Sequence, residues 1–312
     1  MIDYQLSQIA IMHFENGRSQ QEISNILGIS KMTVSRMLQK AKDQNIVQIS
    51  VKLPFSLDSI LEDKLKEAFG LDSVRVVKRE TDPLDYDQDM DFTAKAAAFF
   101  LNTNPPSNTT IGIGIGRTIS RLVDQLLPIK TEKMHIVQLM GGLPEVSTHN
   151  PFSIVQEICR KWASQGTFLT SFATAENKNA RDNFFHNTDT GKMVYALWGK
   201  CNQAILSVGT IENGTLLSPQ LVGLEETNTL KEKKAIGDIL GHCFTSQGKF
   251  IQSDLEDRLL SIPIDKLLMV KKRLCVATGK HKAKALVGAL RTGAITELIT
   301  DSLTAVAVLD LL

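Results

Sequence analysis

Apolar residues recur along this chain in two rhythms, and the rhythm changes near residue 53. Residues 1–53 carry three short helical patterns and then a strand-like run, Ile46 to Val51. From about residue 57 onward, β-rich runs alternate with amphipathic helical stripes, often with a glycine between them. Strands alternating with helices predict an α/β fold with a parallel sheet, because each parallel crossover needs a helix that then covers a sheet face. The pattern predicts strands over 73–78, 109–115, 135–139, 167–171, 203–208, 273–278 and 294–299. It predicts helices over 92–101, 118–127, 152–164, 281–291 and 302–309. Pro54 divides the regimes, which predicts a small all-α head of residues 1–53 and a larger α/β body of residues 54–312. Just after Pro54, Leu57, Ile60, Leu61, Leu65, Ala68 and Phe69 form a helical stripe that Gly70 can end. A core helix and a dimerisation stalk both suit that stripe. The stretches Asp82 to Asp91 and Asn102 to Asn108 read as solvated connections.

The head has the local chemistry of a helix-turn-helix. Ser19 to Glu22 is a capping-box pattern, and the helix it starts is expected to bury Ile23, Ile26 and Leu27. Gly28 tolerates the left-handed turn that follows, and Ser30 can cap the next helix. In that helix Val34, Met37, Leu38 and Ala41 recur at helical spacing and form the buried stripe. The opposite face carries Met32, Ser35, Arg36 and Gln39, side chains suited to base edges in a major groove. Lys31, Thr33 and Lys40 flank that face where phosphates would lie, and Ser19 and Gln20 open the preceding helix. Ile46 to Val51 would form the wing of a winged variant. A protein-binding helical module with a solvated charged face is the plainer alternative.

Composition narrows the class without naming it. The 312 residues are 43% hydrophobic and 22% charged, as in an ordinary globular protein, and the formal net charge is +1. Any nucleic-acid contact must therefore come from a local patch. Met1 to Gly17 lacks a secretory pattern, and no window reaches the roughly 18 apolar residues of a membrane span, so a cytoplasmic chain without membrane contact is expected. The four cysteines, Cys159, Cys201, Cys243 and Cys275, lie far apart, which points to buried, reduced thiols and no metal site.

The body's chemistry lies in glycine-rich strand ends. Ile111-Gly-Ile-Gly-Ile-Gly-Arg117-Thr118 joins a predicted strand to a predicted helix. Backbone amides at such a helix start, with Arg117 and the Thr118 hydroxyl beside them, can hold an anion. Glycines at alternate strand positions can equally serve close packing. The spacing is neither a dinucleotide fingerprint nor a Walker loop, so no nucleotide cofactor is expected. Gly141-Gly142, Gly209-Thr210 and Thr278-Gly-Lys-His-Lys282 end three further predicted strands. Ligands of open α/β sheets sit beyond the carboxyl ends of strands, so these segments could converge with Gly116–Thr118 on one pocket. Lys282, placed in a first helical turn, suits either an anion or a solvated surface.

Taken together, five ordered motifs resemble the SorC family of sugar-responsive bacterial transcription regulators, of the deoxyribonucleoside-regulator and central-glycolytic-gene-regulator type. They are Gln21 to Ser30 with Thr33 to Arg36, Gly114 to Thr118 with Val137 to Gly142, Ala235 to Gly241, Arg258 to Leu267, and Ala277 to Ala285 with Ala289 to Gly293 and Leu298 to Asp301. The resemblance implies a Rossmann-like effector domain of the sugar-phosphate-isomerase type, a phosphorylated sugar as effector, operator DNA as partner, and a homo-oligomer, dimer or tetramer. Carried over by position, Gly114, Gly116, Arg117 and Thr118 would hold phosphate with Gly279 and Lys282 nearby, while Gln138, Gly141, Gly142, Gly209 and Thr245 would line the pocket. Cys243-Phe-Thr245 stands where many members have an aspartate after an aromatic pair, so one hydroxyl-binding carboxylate is absent. Met140 supplies no amine, which argues against covalent capture of an aldehyde there.

A sugar-phosphate isomerase or deaminase behind a DNA-binding head is the competing class. Such chemistry needs a positioned general base. Asp238, Asp254, His149 and His281 form no recognisable catalytic set, so no enzyme activity is expected.

Overall fold

In the computed structural model, which describes residues 4–47, 54–79, 86–130, 133–144, 148–212 and 222–312, the chain parts into two units, Met1–Pro54 and Phe55–Leu312.

The first unit is helical. Helix α1 (Tyr4–Ala10) runs into a π-helical turn over Ile11–Glu15, followed by α2 (Gln20–Leu27) and α3 (Lys31–Asp43). Ser19 Oγ accepts from the Glu22 amide and the Glu22 carboxylate accepts from the Ser19 amide, which closes the capping box. Gly28 ends α2 in the left-handed region at φ 67°, and Ser30 Oγ accepts from the Thr33 amide to start α3. Leu6, Ile9, Ala10, Ile23, Val34, Leu38 and Ala41 are buried among the three helices. Met37 packs partly against them, and Leu27 does likewise. Ile26, expected inside, is half exposed, because the face that buries Ile23 and Leu27 leaves it turned outward. The expected wing falls mostly on residues 48–51, outside the described residues.

The second unit follows the predicted alternation, with an insertion the pattern did not place. Its elements are α4 (Ser59–Phe69), β1 (Ser73–Val77), α5 (Tyr86–Thr103), β2 (Thr110–Ile113), α6 (Arg117–Asp124), β3 (His135–Gln138), α7 (Pro151–Lys161) and β4 (Gln165–Thr167). Then come α8 (Lys178–Asn187), α9 (Asp189–Trp198), β5 (Cys201–Leu206), β6 (Gly209–Thr210), α10 (Leu224–Glu232), β7 (Ala235–Ile239) and β8 (His242–Thr245). The unit ends with α11 (Asp254–Arg258), α12 (Ile264–Met269), β9 (Lys272–Val276), α13 (Ala283–Arg291), β10 (Glu297–Asp301) and α14 (Ser302–Leu309). Among the described residues, seven parallel strands pair in the order β1-β10-β9-β5-β2-β3-β4, and β6-β7-β8 form a small antiparallel sheet.

Strand pleating sends alternate residues into two cores, one on each face. Ile111, Ile113, Ile136, Ile205, Leu274, Val276 and Ile299 join residues of α5, α6 and α7 in one core. Val137, Ala204, Leu206, Cys275, Ala277 and Leu298 join residues of α4, α9, α13 and α14 in the other. Helix α4 is therefore part of this unit's core: Leu65 is fully buried and Leu61 and Phe69 pack beside it. Leu57 stands outside the helix in an isolated bridge to Val77, and Ile60 is exposed.

Several boundaries moved. Helix α5 starts at Tyr86 rather than Phe92, taking in residues 86–91 of the expected acidic loop. Asp87 and Asp89 in its first turn favour the helix dipole, and Met90 is buried. Strand β4 precedes its expected place, because the glycine-containing segment Gln165–Thr167 pairs with β3. Lys282 lies at the end of a 3₁₀ turn over Lys280–Lys282, and α13 begins at Ala283. Cys201, Cys243 and Cys275 are buried, Cys159 is half-buried, and all four are free thiols. No helix among the described residues is long and apolar enough to cross a membrane.

Candidate functional site

On the head, α3 sorts its side chains as helical geometry demands. Met32, Ser35, Arg36 and Gln39 are exposed opposite the buried Val34, Leu38 and Ala41, and Met32 is 82% accessible. Lys31 and Lys40 are exposed beside them, and Thr33 is half-buried with its hydroxyl against Ser30 Oγ. Gln39 Nε2 donates to Asp43, four residues on, which leaves its carbonyl oxygen outward. Ser19 is exposed and Gln20 half-buried at the start of α2.

In the body, the strand order sets where a ligand pocket can form. From β2 the chain proceeds outward through β3 and β4, then returns to place β5 on the other side of β2. The switch point thus lies between β2 and β5, and the crevice beyond their carboxyl ends is where open α/β sheets bind ligands. Gly116–Thr118 follows β2 there, and Ser207–Gly209 follows β5. The next strand, β9, leads into Thr278–Lys282.

The glycines of the β2 segment have different reasons. A Cβ at Gly112 would lie 2.4 Å from Leu139 Cδ2, and one at Gly114 would lie 3.1 Å from the Ile205 carbonyl. Both serve packing of the sheet. Gly116 is different: it sits at φ 139° as the residue before α6, where a Cβ would crowd Ser207 Oγ at 3.2 Å. No side chain caps α6 at this end, and its first amides have no intrahelical partners.

Around this turn, polar groups are short of partners. Thr118 is 1% exposed and its Oγ1 makes no hydrogen bond. Arg117 stands over the Tyr86 ring at 5.4 Å from its centroid, and Lys282 Nζ lies 6.0 Å from the same ring. The Tyr86 hydroxyl is buried without a partner. His281 packs edge-on against Tyr86, and burial pushes its imidazole below the usual range, with Lys282 and Arg117 adding to the effect. Asp238, fully buried on β7, accepts from the Gly241 amide through Oδ2 while Oδ1 has no partner. Burial raises its carboxyl above the ordinary range, opposed by the Gly241 amide, His242 and Lys282.

Other expected pocket residues are placed by packing. Gln138 is fully buried with its amide committed: Nε2 donates to the Met140 carbonyl and Oε1 accepts from the Leu169 amide. Gly141 is held by a close backbone approach, since a Cβ there would lie 2.0 Å from the Phe172 carbonyl. Gly142 lines a cavity of about 480 Å³ beside β3 and β4, together with Asn150, Phe152 and Phe172. Thr245 closes the turn after β8, its Oγ1 accepting from the Lys249 amide. Gly279, at φ 109°, is where the ring of Tyr86 passes the chain. Of the four bases weighed for catalysis, Asp238 and His281 lie at the crevice, Asp254 opens α11 on the surface, and His149 lies in the turn before α7. Tyr86 and Ser207 escaped the sequence reading. Tyr86 looked like part of an acidic loop, and Ser207 carried no motif.

Comparison with known proteins gives the class. The sugar-binding domain family model (Sugar-bind) matches residues 54–310, and the Sigma-70 region 4 model matches residues 5–44. The chain is 28% identical to the deoxyribonucleoside regulator of Bacillus subtilis (strain 168), over 97% of this chain and 96% of that protein. It is 24% identical to the sorbitol operon regulator of Klebsiella pneumoniae, over 96% of this chain and 95% of that one. The crystal structure of the full-length Klebsiella pneumoniae regulator superposes with a TM-score of 0.74 at 22% identity, covering 98% of both chains. A transcriptional regulator from Streptococcus pneumoniae TIGR4 gives 0.76 at 25% identity over 81% of this chain and 96% of its own. A helix-turn-helix joined to a sugar-binding domain defines a transcriptional regulator, and the relatives are named regulators, not enzymes. The chain belongs to the SorC family of sugar-binding transcriptional regulators.

Proposed function

We propose that this regulator binds operator DNA through α3 and that a phosphorylated sugar, bound at the switch point of the body, sets its operator affinity. The observation that carries the effector's chemistry is the cradle at Gly116–Thr118. A helix N-terminus, a buried unpartnered hydroxyl and, around the Tyr86 ring, the cations Arg117 and Lys282, neither in an ion pair within 4 Å among the described residues, mark this turn. A phosphoryl group supplies the negative charge and the several acceptors that this set lacks. Asp238, with its free oxygen beside Gly209, supplies an acceptor for a sugar hydroxyl. Gly114, Gly141, Gly142 and Gln138 shape the backbone around the pocket without contacting the phosphate.

On the head, Met32, Ser35, Arg36 and Gln39 read base edges, while Lys31, Thr33, Lys40, Ser19 and Gln20 hold phosphates. One such head meets few phosphates, so tight binding at cellular salt needs two or more, which supports a homodimer or homotetramer working in the cytoplasm. The head comprises residues 1–53, and the effector and oligomerisation domain residues 54–312.

The test measures binding of a DNA fragment selected by the protein from genomic DNA, with and without a panel of sugar phosphates. In the wild type one sugar phosphate should change DNA affinity by a factor of about 5 to 150, the usual range of coupling between sites. The Arg117→Ala, Thr118→Val double variant should bind the fragment normally and lose that response. A double variant that responds like the wild type would contradict the phosphate assignment.

A further inference from the structure

Tyr86 opens α5 and sets its ring among groups from two separate loops. Arg117 belongs to the turn after β2, while His281 and Lys282 belong to the turn after β9, and β5 lies between those strands in the sheet. The ring spans that interval, with its centroid 5.4 Å from Arg117 Cζ, 6.0 Å from Lys282 Nζ and 4.5 Å from the His281 ring centroid. Both cations are within cation–π range. The backbone makes room for it, since a Cβ at residue 279 would lie 2.7 Å from Tyr86 Cε2. The start of α5 is also tethered: Arg121 donates to the Asp87 carbonyl, to Asp87 Oδ1 and to Asp91 Oδ1.

The hydroxyl at the end of this ring is buried and makes no hydrogen bond. Buried tyrosine hydroxyls normally find a partner. Thr118 Oγ1, on the neighbouring turn, is in the same condition. Two unpartnered hydroxyls and two cations, neither of them in an ion pair within 4 Å among the described residues, form a set rich in donors.

We propose that Tyr86 is a specificity-determining residue of the ligand site, its hydroxyl donating to a terminal oxygen of a phosphoryl group held between Arg117 and Lys282. The ring lies within cation–π range of both cations and so ties the turns that carry them to one side chain. Three terminal oxygens serve Arg117, Lys282 and the hydroxyls of Tyr86 and Thr118 together. A carboxylate carries one charge where a phosphate carries about −1.5 to −2, and its two oxygens lie in one plane, so it answers these cations and hydroxyls less well and the site selects sugar phosphates over sugar acids. This inference rests on the phosphorylated-sugar reading above.

The test is calorimetric titration of the full chain and its Tyr86→Phe variant with inorganic phosphate, a panel of sugar phosphates and the matching sugar acids, beside thermal melts without ligand. Phenylalanine keeps the ring and removes only the hydroxyl. The unliganded melting temperature should stay level or rise, because an unpartnered buried hydroxyl is lost. Affinity for the best sugar phosphate should fall about ten- to a hundred-fold, as for a hydrogen bond to a charged group, and the preference over the sugar acid should narrow by the same factor. A hydroxyl with a merely structural role would lower the unliganded melting temperature and leave affinity and preference unchanged. Sugar-phosphate affinity equal to wild type overturns the role of Tyr86 alone. A wild type that binds neither inorganic phosphate nor any sugar phosphate overturns the phosphorylated-sugar reading itself, and this role with it.

Discussion

Asp238 lies directly against Gly209: a Cβ on residue 209 would stand 2.0 Å from Asp238 Oδ1. The pairing of β6 with β7 brings the two residues opposite each other, and only glycine leaves room for the carboxyl. That carboxyl is fully buried with one oxygen unpartnered, and burial raises its pKa above the ordinary range. The folded chain therefore holds this proton to higher pH than the unfolded chain does. The stability linked to it is complete below the unfolded pKa and is lost as pH rises through the raised folded value. Asp238→Asn keeps an acceptor for the Gly241 amide and removes the titration. The variant should be more stable than wild type at pH 8, by about 1–3 kcal/mol if the unpartnered oxygen sets the cost. The difference should shrink as the pH falls into the acid range, and sugar binding should weaken. Urea melts from pH 4 to pH 8 check this; a gap that does not depend on pH would place the effect elsewhere.

Arg273 holds two helix ends with one guanidinium. Its side chain is buried and donates to the carbonyls of Ala294, Gly293, Leu268 and Val270, with no carboxylate among these partners. Those carbonyls close the ends of α12 and α13, so Arg273→Met leaves several of them buried and unmet. The expected loss is about 3–5 kcal/mol, or roughly 10 °C in Tm, without a change in the DNA sequence bound. Arg273→Lys should rescue little, because an ammonium lacks the planar fork. A lysine variant as stable as wild type would show that charge alone suffices.

The exposed face of α3 separates sequence reading from phosphate contact. Arg36→Ala should cost about 1–3 kcal/mol in specific binding, relax the preference at one base pair, and leave the melting temperature within the error of measurement. Lys40→Ala should weaken binding to all sequences alike and lower the slope of log affinity against log salt by about 1. Footprints and salt titrations on both variants distinguish the two roles. If the roles come out exchanged, α3 lies in the groove rotated from the facing assigned here.

The capping box is a stability element that also sits at the expected DNA surface. Ser19→Ala removes the acceptor for the Glu22 amide, and should lower stability of the head by about 1 kcal/mol. Ser19→Asp restores the cap and adds a negative charge facing the phosphates. It should recover the melting temperature while DNA affinity falls further, and equal DNA affinity in the two variants would remove Ser19 from the interface.

Much of this was legible in the residues because each signal is local. The caps at Ser19 and Ser30, the left-handed Gly28 and the stripe Val34, Leu38 and Ala41 depend only on neighbours within one or two turns, and they place the helices of the head. The parallel sheet announced itself through apolar runs set between helical stripes. Ile26 was misplaced because Ile23, Ile26 and Leu27 share one wide helical stripe, and spacing alone does not say which flank of that stripe the neighbouring helices cover. The helices α8 and α9 and the stretch from α10 to α12 were not read, since short, mixed elements leave little period to detect. Tyr86 was hidden by the acids around it; its meaning comes from loops some 30 and 195 residues away that only the fold brings together. Gln138 was read as a pocket residue, and it lines the cavity beside β3 and β4 with its amide already committed to Met140 and Leu169, a commitment that only the fold reveals.

The most direct measurement is a thermal-shift series on the purified full chain, pairing each sugar phosphate with its unphosphorylated parent. At about 100 times its dissociation constant the effector should stabilise the protein by roughly 2.7 kcal/mol, and the parent sugar should give no shift at that concentration. Equal stabilisation by a parent sugar and its phosphate would contradict the anion cradle at Gly116–Thr118 and leave a regulator that senses a neutral sugar.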